Sequence, residues 1–358
     1  MIIHNLLLSD HRNLFNRAIL QSSSSYIVNS YRNREDSFQL AVHFAEKVGC
    51  LPNQSEYNFK NVSTLNILSI EQNLQNLENS NNEKILNCLL NQNASYLSQK
   101  QWEIEYVNEY LKMQFVPTLD YHNLLEQDPT EFDFKNNKKI NQEILTGVNE
   151  DEGTYFLFYL YNTKHFNLTN IFNESDTKYN NDFVTSKLID ALRTKFPIAN
   201  DYSHYDQFAK CLSSLYTINS KQVVNRLDYD LNTEENQKQN SPELAFQKLS
   251  KVLGDYIFSC PTIRFANKYS ESQPQKSFFY KFSQRAKANL WPKWMGVIHA
   301  QEIEFIFGVP LLNSTLYDDD DRFTSRNIMS YWANFARFGK LYLHAFYLSH
   351  FFHSYFSK

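Results

Sequence analysis

Apolar and polar residues alternate along this chain in two distinct patterns. A short apolar run at Arg17–Gln21 leads into four serines, Ser22–Ser25, which predicts a strand that ends in a polar turn. From Asp36 to Val48 the apolar residues recur with helical spacing, and Gly49 is a suitable helix end. The first part of the chain is therefore predicted to form a strand followed by a helix.

The same alternation returns further along the chain. Glu143–Val148 and Ser277–Phe282 are predicted to be strands, and an acidic turn follows the first of them. Helical spacing recurs in three more segments: Glu83–Leu90, Phe246–Phe265 with interruptions at Gly254 and Pro261, and Arg322–Phe338. Strands that alternate with helices predict an α/β protein.

The four cysteines leave the disulfide pattern open. They are Cys50, Cys88, Cys211 and Cys260, and four cysteines allow three pairings. They could equally be buried thiols. The polar segment Leu51–Asn82, which lies between the first two, is rich in Asn, Ser and Gln and predicts an inserted loop.

Composition narrows the function classes. A chain of 358 residues with 42% hydrophobic and 21% charged residues suits a large globular core. The net charge of -4, without any block of lysines or arginines, argues against a nucleic-acid partner. No signal peptide is visible, because Met1–Leu8 is short and lacks a basic start, and no apolar run is long enough to span a bilayer.

The aromatic C-terminal segment contains several histidines. His344, His350 and His353 have no carboxylate or cysteine close by in the sequence, so we interpret them as compositional bias rather than as a metal site. Neither a metal nor a cofactor is expected.

Two residues suggest hydrolytic chemistry. Glu152 lies in the acidic turn 147–154, and His299 ends the segment 291–299. The order acid then histidine matches the Ser, acid, His order of α/β-hydrolase triads. No pair of the seven glycines brackets a serine as Gly-x-Ser-x-Gly. Taken singly, an acid in a turn or a lone histidine is more often structural. The assignment of a catalytic role to Glu152 and His299 therefore depends on the surrounding motifs.

Several segments in register resemble the cholinesterase and type-B carboxylesterase family. They are His11–Ser22, Phe115–Asp120, Gly147–Gly153, Gly254–Tyr256 with Cys260–Pro261, Trp291–Gly308 and Tyr331–Ala336. The resemblance implies an α/β-hydrolase fold, here incomplete and limited to the C-terminal portion of the central sheet. We expect a partial esterase domain at 1–339 and an aromatic tail outside the family at 340–358.

The resemblance also implies roles for individual residues. Glu152 matches the acid that orients the histidine, and His299 matches the general base. Ser22 and Asp255 match polar residues that support the histidine side of the site. Cys50 and Cys88 match a family disulfide.

An aromatic wall is implied as well. Tyr155, Phe156 and Tyr159 match rings in the family's gorge that hold a quaternary ammonium by cation–π attraction, and Trp291 lies in a matching lining segment. Core packing explains Tyr155 and Phe156 equally well, since the chain is rich in aromatic residues.

The chain also departs from the family pattern. Asn29 stands where the family has an acyl-pocket Trp, and Ala300 replaces the glycine after the histidine. Cys260 has no later cysteine to pair with. The half that carries the nucleophile serine and the oxyanion glycines is absent.

Together these features predict a fragment of a carboxylic ester hydrolase of the cholinesterase type, inactive alone for want of a nucleophile. Its full-length parent would take a small-molecule choline ester, could form homo-oligomers or carry a membrane anchor, and would be extracellular, at the cell surface or synaptic. The alternatives are a neuroligin-like adhesion module without catalysis and the product of a truncated gene model.

Overall fold

A computed structural model describes residues 14–27, 30–51, 81–104, 115–119, 125, 127–136, 140–161, 242–291 and 293–341. The predicted loop at 51–82 falls almost wholly outside these residues, as do Asn29 and the tail from residue 342 onward.

Three parallel strands form a sheet in this part of the chain. They are β1 (Arg17–Gln21), β2 (Glu143–Asn149) and β3 (Ser277–Phe282), with β2 in the middle. All three predicted strands are confirmed. Because the strands are parallel, their carboxyl ends meet at one edge of the sheet, where ligand sites of open α/β folds are found.

The central strand is buried on both faces. Ile144 packs with Phe265 and Tyr269 on one side, and its neighbour Leu145 packs with Phe305 and Phe335 on the other. Successive side chains of a strand point to opposite faces, so one strand contributes to two apolar clusters. Burial on both faces is typical of parallel sheets and supports the α/β class.

The α-helices in the described part of the chain are α1 (Arg34–Lys47), α2 (Asn81–Leu90), α3 (Ala94–Lys100), α4 (Glu152–Tyr161), α5 (Pro242–Gly254), α6 (Cys260–Ser272), α7 (Glu302–Ile306), α8 (Val309–Leu312) and α9 (Asp319–Phe338). Helix α1 ends before Gly49, whose φ of 74° only glycine adopts readily. Helix α9 begins earlier than the predicted Arg322, because Asp318 and Asp321 form a reciprocal capping box.

The predicted interruptions between α5 and α6 are wrong. A π-helical turn, Asp255–Ser259, joins the two helices without a break. Pro261 lies in the first turn of α6, where its missing N–H costs nothing. Gly254 serves a close approach instead, since a Cβ atom on the facing Gly153 would overlap the backbone of α5.

A disulfide joins Cys50 to Cys88 across 38 residues of sequence, as the family resemblance implies. Cys50 is buried beside Ala45 and Val48, so the bond attaches α2 to the end of α1. Among the cysteines that the structure describes, Cys260 is unbonded and exposed.

Candidate active site

Glu152 begins helix α4 directly beyond the end of β2. Its carboxylate is almost fully buried, and three polar groups contact it. The Ser22 hydroxyl (2.5 Å) and the Asn149 backbone N–H (2.6 Å) donate to Oε1, and Oε2 lies 2.6 Å from His299 Nδ1. The amino terminus of a helix also favours negative charge. These contacts suit a negatively charged carboxylate beside the imidazole ring.

The histidine turn is paired with the acid turn through the backbone. Asp151 N–H donates to Val297 O (3.0 Å), and Val297 N–H donates back to Asp151 Oδ2 (2.9 Å). Asp151 and Ile298 also form an isolated parallel bridge. Burial raises the pKa of the Asp151 carboxyl group above its usual range, although the bond from Val297 works in the opposite direction. These contacts bring Glu152 and His299 together.

The pair has the geometry of a general base and its orienting acid. When Nδ1–H of His299 donates to Glu152, the neutral ring keeps the lone pair of Nε2 free to accept a proton. The His299 side chain is 27% exposed, whereas the Glu152 side chain is fully buried. A partly open imidazole held by a buried carboxylate can therefore take a proton from a nucleophile and return it to a leaving group.

Two phenyl rings enclose the imidazole. Phe258, from the π-helical turn, stacks on His299 with ring centroids 4.7 Å apart and an angle of 29°. Phe156 meets the same ring edge-on at 5.2 Å and contacts Phe258 at 5.0 Å. Ring faces attract cations, so the stacked Phe258 favours the imidazolium that forms during proton transfer.

The predicted aromatic wall adjoins this enclosure. Tyr155 lies edge-on to Phe156 (5.8 Å) and to Trp291 (6.4 Å), so these three rings form one cluster with His299. Tyr155 and Phe156 are half-buried, and Trp291 is 40% exposed. Tyr159 belongs to α4, but its side chain lies outside the described part.

Two residues beside the pair have left-handed backbones without being glycine. Ser22 has a φ of 49° at the end of β1, and Ala300 has a φ of 69° directly after His299. Such conformations are costly for residues with a Cβ and are concentrated at functional sites. The family's glycine at the Ala300 position would adopt this φ without strain.

A second buried carboxylate lies behind the histidine turn. Glu302 accepts hydrogen bonds from Gln21 Nε2 (3.0 Å) and from Asn149 Nδ2 (2.5 Å). Burial raises the pKa of the neighbouring Tyr280 well above its usual 10, and the charges of Glu302 and Glu152 add to this effect.

Sequence reasoning missed several residues of this site: Gln21, Asn149, Asp151, Phe258 and Glu302. Most of them lie inside the motifs that carry the family resemblance, so each motif could have been searched for polar side chains. Asp255, by contrast, was predicted to support the histidine. It forms an ion pair with Lys251 at 3.0 Å, and its role at the histidine stays a prediction.

No group of three or more metal-ligating side chains occurs among the described residues. Within the same residues, none of the helices combines the length and apolar character needed to cross a bilayer.

Comparison with known proteins identifies the class. The chain belongs to the carboxylesterase family, whose family model matches residues 1–342, and this family implies the α/β-hydrolase fold. Within the family it is cholinesterase-like. It is 29% identical to an acetylcholinesterase of Bungarus fasciatus over 94% of this chain and 45% of that relative.

Two further relatives agree. A cholinesterase of Mus musculus is 28% identical over 91% of this chain and 44% of the relative. Acetylcholinesterase 1 of Caenorhabditis elegans is 31% identical over 74% of this chain and 38% of the relative. The chain therefore spans less than half the length of the relatives that it matches.

Proposed function

We propose that this chain provides the acid and the base of a cholinesterase-type carboxylic ester hydrolase. The observation that carries the proposal is the contact of 2.6 Å between His299 Nδ1 and Glu152 Oε2 at the carboxyl edge of a parallel sheet. Family membership adds support, since this order of acid and histidine suits a serine hydrolase.

In the proposed mechanism His299 Nε2 takes the proton of a serine hydroxyl as the serine attacks the ester carbonyl carbon. The imidazolium then gives that proton to the leaving alcohol, and an acyl-serine ester forms. Water then attacks the acyl-serine ester while His299 Nε2 takes a proton from it. The imidazolium returns this proton to the serine oxygen, which releases the carboxylic acid and regenerates the serine. Glu152 keeps its negative charge throughout and stabilises the imidazolium.

The proposed substrate is a choline ester or a related small ester. Support comes from the rings of Tyr155, Phe156 and Trp291 beside His299, since aromatic faces attract a quaternary ammonium group. The names of the relatives, acetylcholinesterase and cholinesterase, point to the same substrates. The half-buried rings of Tyr155 and Phe156 and the exposed ring of Trp291 also suit the wall of a binding site better than an interior core.

The serine and the oxyanion donors would come from sequence that this chain does not contain. No Gly-x-Ser-x-Gly occurs in its 358 residues, and the match covers 45% of the first relative. We propose that the chain is an incomplete α/β-hydrolase domain at 1–339 followed by a tail outside the family at 340–358. By itself it is expected not to hydrolyse acetylthiocholine.

We also propose an extracellular or cell-surface location. The disulfide between Cys50 and Cys88 supports it, because such bonds persist mainly in oxidising compartments. Oligomerisation and membrane anchoring of a longer parent stay predictions of the family resemblance.

The test uses an antibody raised against the segment 51–82, which the sequence predicts to be an inserted loop. Native protein from the source cells is captured, sized, and treated with an organophosphate serine probe and with acetylthiocholine. A labelled, hydrolytic band well above 42.4 kDa supports the proposal. An unlabelled band near 42.4 kDa contradicts it and favours a binding role.

A further inference from the structure

Asn149, the last residue of β2, lies fully buried between the two proposed catalytic residues. Its backbone N–H donates to Glu152 Oε1 at 2.6 Å. Its side-chain amide donates both to the carbonyl oxygen of Ile298 (2.9 Å) and to Glu302 Oε2 (2.5 Å). A single residue thus contacts the acid, the residue before His299 and the carboxylate three residues after it.

The chemistry of the neighbours fixes the orientation of the Asn149 amide. Ile298 O and the Glu302 carboxylate are both acceptors, so only the NH2 group can face them. Asn149 Oδ1 is left buried without a hydrogen-bond partner among the described residues. An unpaired buried acceptor is unfavourable, so the surrounding contacts hold this orientation against a free-energy cost.

Glu302 is itself fixed. It is buried, and Gln21 Nε2 at the end of β1 donates to its Oε1 at 3.0 Å. The hydrogen bonds therefore run from β1 through Glu302 and Asn149 to the backbone before His299. Any displacement of the histidine turn from Glu152 would break at least one bond to Asn149.

We propose that Asn149 is a positioning residue, which holds the histidine turn against Glu152 and so maintains the ring tautomer with its proton on Nδ1. Loss of Asn149 would loosen the turn, which the Asp151–Val297 bonds would still attach, and the acceptor of the His299 Nδ1 proton would be less well fixed. The inference rests on the proposed roles of Glu152 and His299, but it needs no ester turnover for its test.

The experiment is nitrogen-15 and proton NMR of the imidazole rings in the full 358-residue chain. A slowly exchanging Nδ1 proton of His299 is expected, identified by its loss in His299→Asn and in Glu152→Gln. In Asn149→Asp, which is similar in size but donates neither to Ile298 O nor to Glu302, that proton is expected to exchange at least about tenfold faster, because loss of the bond to the charged Glu302 alone accounts for about that factor.

A double variant separates positioning from repulsion between carboxylates. In Asn149→Asp combined with Glu302→Gln, the amide and the carboxylate change places, so the two side chains can still bond to each other and the Gln can still accept from Gln21, but position 149 no longer donates to Ile298 O. The Nδ1 proton is expected to exchange fast in this variant as well. Tyr269→Phe is the matched control. It removes a buried hydrogen bond to Gln142 O (2.7 Å) in the apolar cluster of Ile144 and Phe265, and it should leave the exchange rate of the His299 Nδ1 proton unchanged.

A folded Asn149→Asp variant that keeps the slow proton overturns the proposal. If that variant does not fold, the double variant decides, and a folded double variant that keeps the slow proton overturns the proposal equally. Unfolding of both would assign Asn149 a purely structural role, which also contradicts the inference. A native protein without esterase activity would refute the proposed function while leaving this NMR result intact.

Discussion

The carboxylate of Asp151 fills the space that a Cβ atom on Gly296 would occupy. Gly296 has a φ of 65°, so both its backbone and its surroundings require a residue without a side chain. The acid turn and the histidine turn therefore meet without intervening atoms, and this contact can be tested from either side.

Gly296→Ala is expected to lower the free energy of unfolding by about 2–4 kcal/mol, since the overlap with Asp151 adds to the left-handed strain. Gly49→Ala is the matched control. Gly49 has a φ of 74° and nothing within 4 Å of its missing Cβ, so only the backbone cost of about 1–2 kcal/mol applies. Urea unfolding measures the free energy of unfolding of both variants. Equal decreases in the two variants would show that the contact with Asp151 is unimportant.

Asp151→Asn tests the same contact through charge. Burial raises the pKa of the Asp151 carboxyl group in the folded protein above the 3.8 of the unfolded chain. The protonated group therefore favours the folded state at low pH, and this contribution to stability is lost as the pH rises through the raised, folded-state pKa. The Asn amide oxygen still accepts from Val297 N–H but carries no charge. The variant is expected to be more stable than the wild type at pH 7, with a difference that shrinks towards pH 4.

The control for this effect is Asp151→Ala, which leaves the Val297 N–H without its acceptor and should be destabilising at every pH. Urea unfolding between pH 4 and pH 7 compares the three proteins. A gain by Asp151→Asn that grows as the pH falls would contradict the stated direction of the pKa.

Ala300→Gly is expected to stabilise the fold by up to about 1 kcal/mol, because it relieves a φ of 69° beside His299. Ala333→Gly, at an exposed position inside α9, is the matched control and should cost about 0.5–1 kcal/mol. Thermal unfolding gives both signs in one experiment. Destabilisation of equal size at the two sites would show that residue 300 bears no backbone strain.

Removal of the disulfide by Cys50→Ala with Cys88→Ala is expected to lower the free energy of unfolding by about 4 kcal/mol, since the bond closes a loop of 38 residues. The control is Cys260→Ser, at an exposed and unbonded cysteine, which should change stability little. Comparison of the two variants with and without a reducing agent shows whether the loss follows the bond.

Local sequence patterns predicted much of this fold. Strands β1 to β3 and helices α1, α2 and α9 follow the apolar periods closely, since burial on one side of an element is a local signal. The π-helical turn could not be predicted in this way. It lies directly after Gly254, whose close contact with Gly153 in α4 involves residues far apart in the sequence.

Site residues within continuous motifs could likewise be predicted, whereas those that act through contacts between distant segments could not. Glu152 and His299 were found because their motifs match a family, and motifs are continuous in sequence. Asn149 and Glu302 act through a hydrogen bond that spans 153 residues, and no local pattern encodes such a pair. Phe258 was missed because an apolar residue in a helical segment is expected in the core whether or not it stacks on a histidine.

The partners of the Glu152 carboxylate come from distant parts of the chain: Ser22 lies 130 residues before it and His299 lies 147 residues after it. Closing such long loops lowers conformational entropy before any contact offsets the loss. The three-way contact should therefore assemble among the last events of folding. A growing chain on the ribosome would have no acid–base pair until all three described strands had been synthesised, because β3 ends at Phe282, before His299.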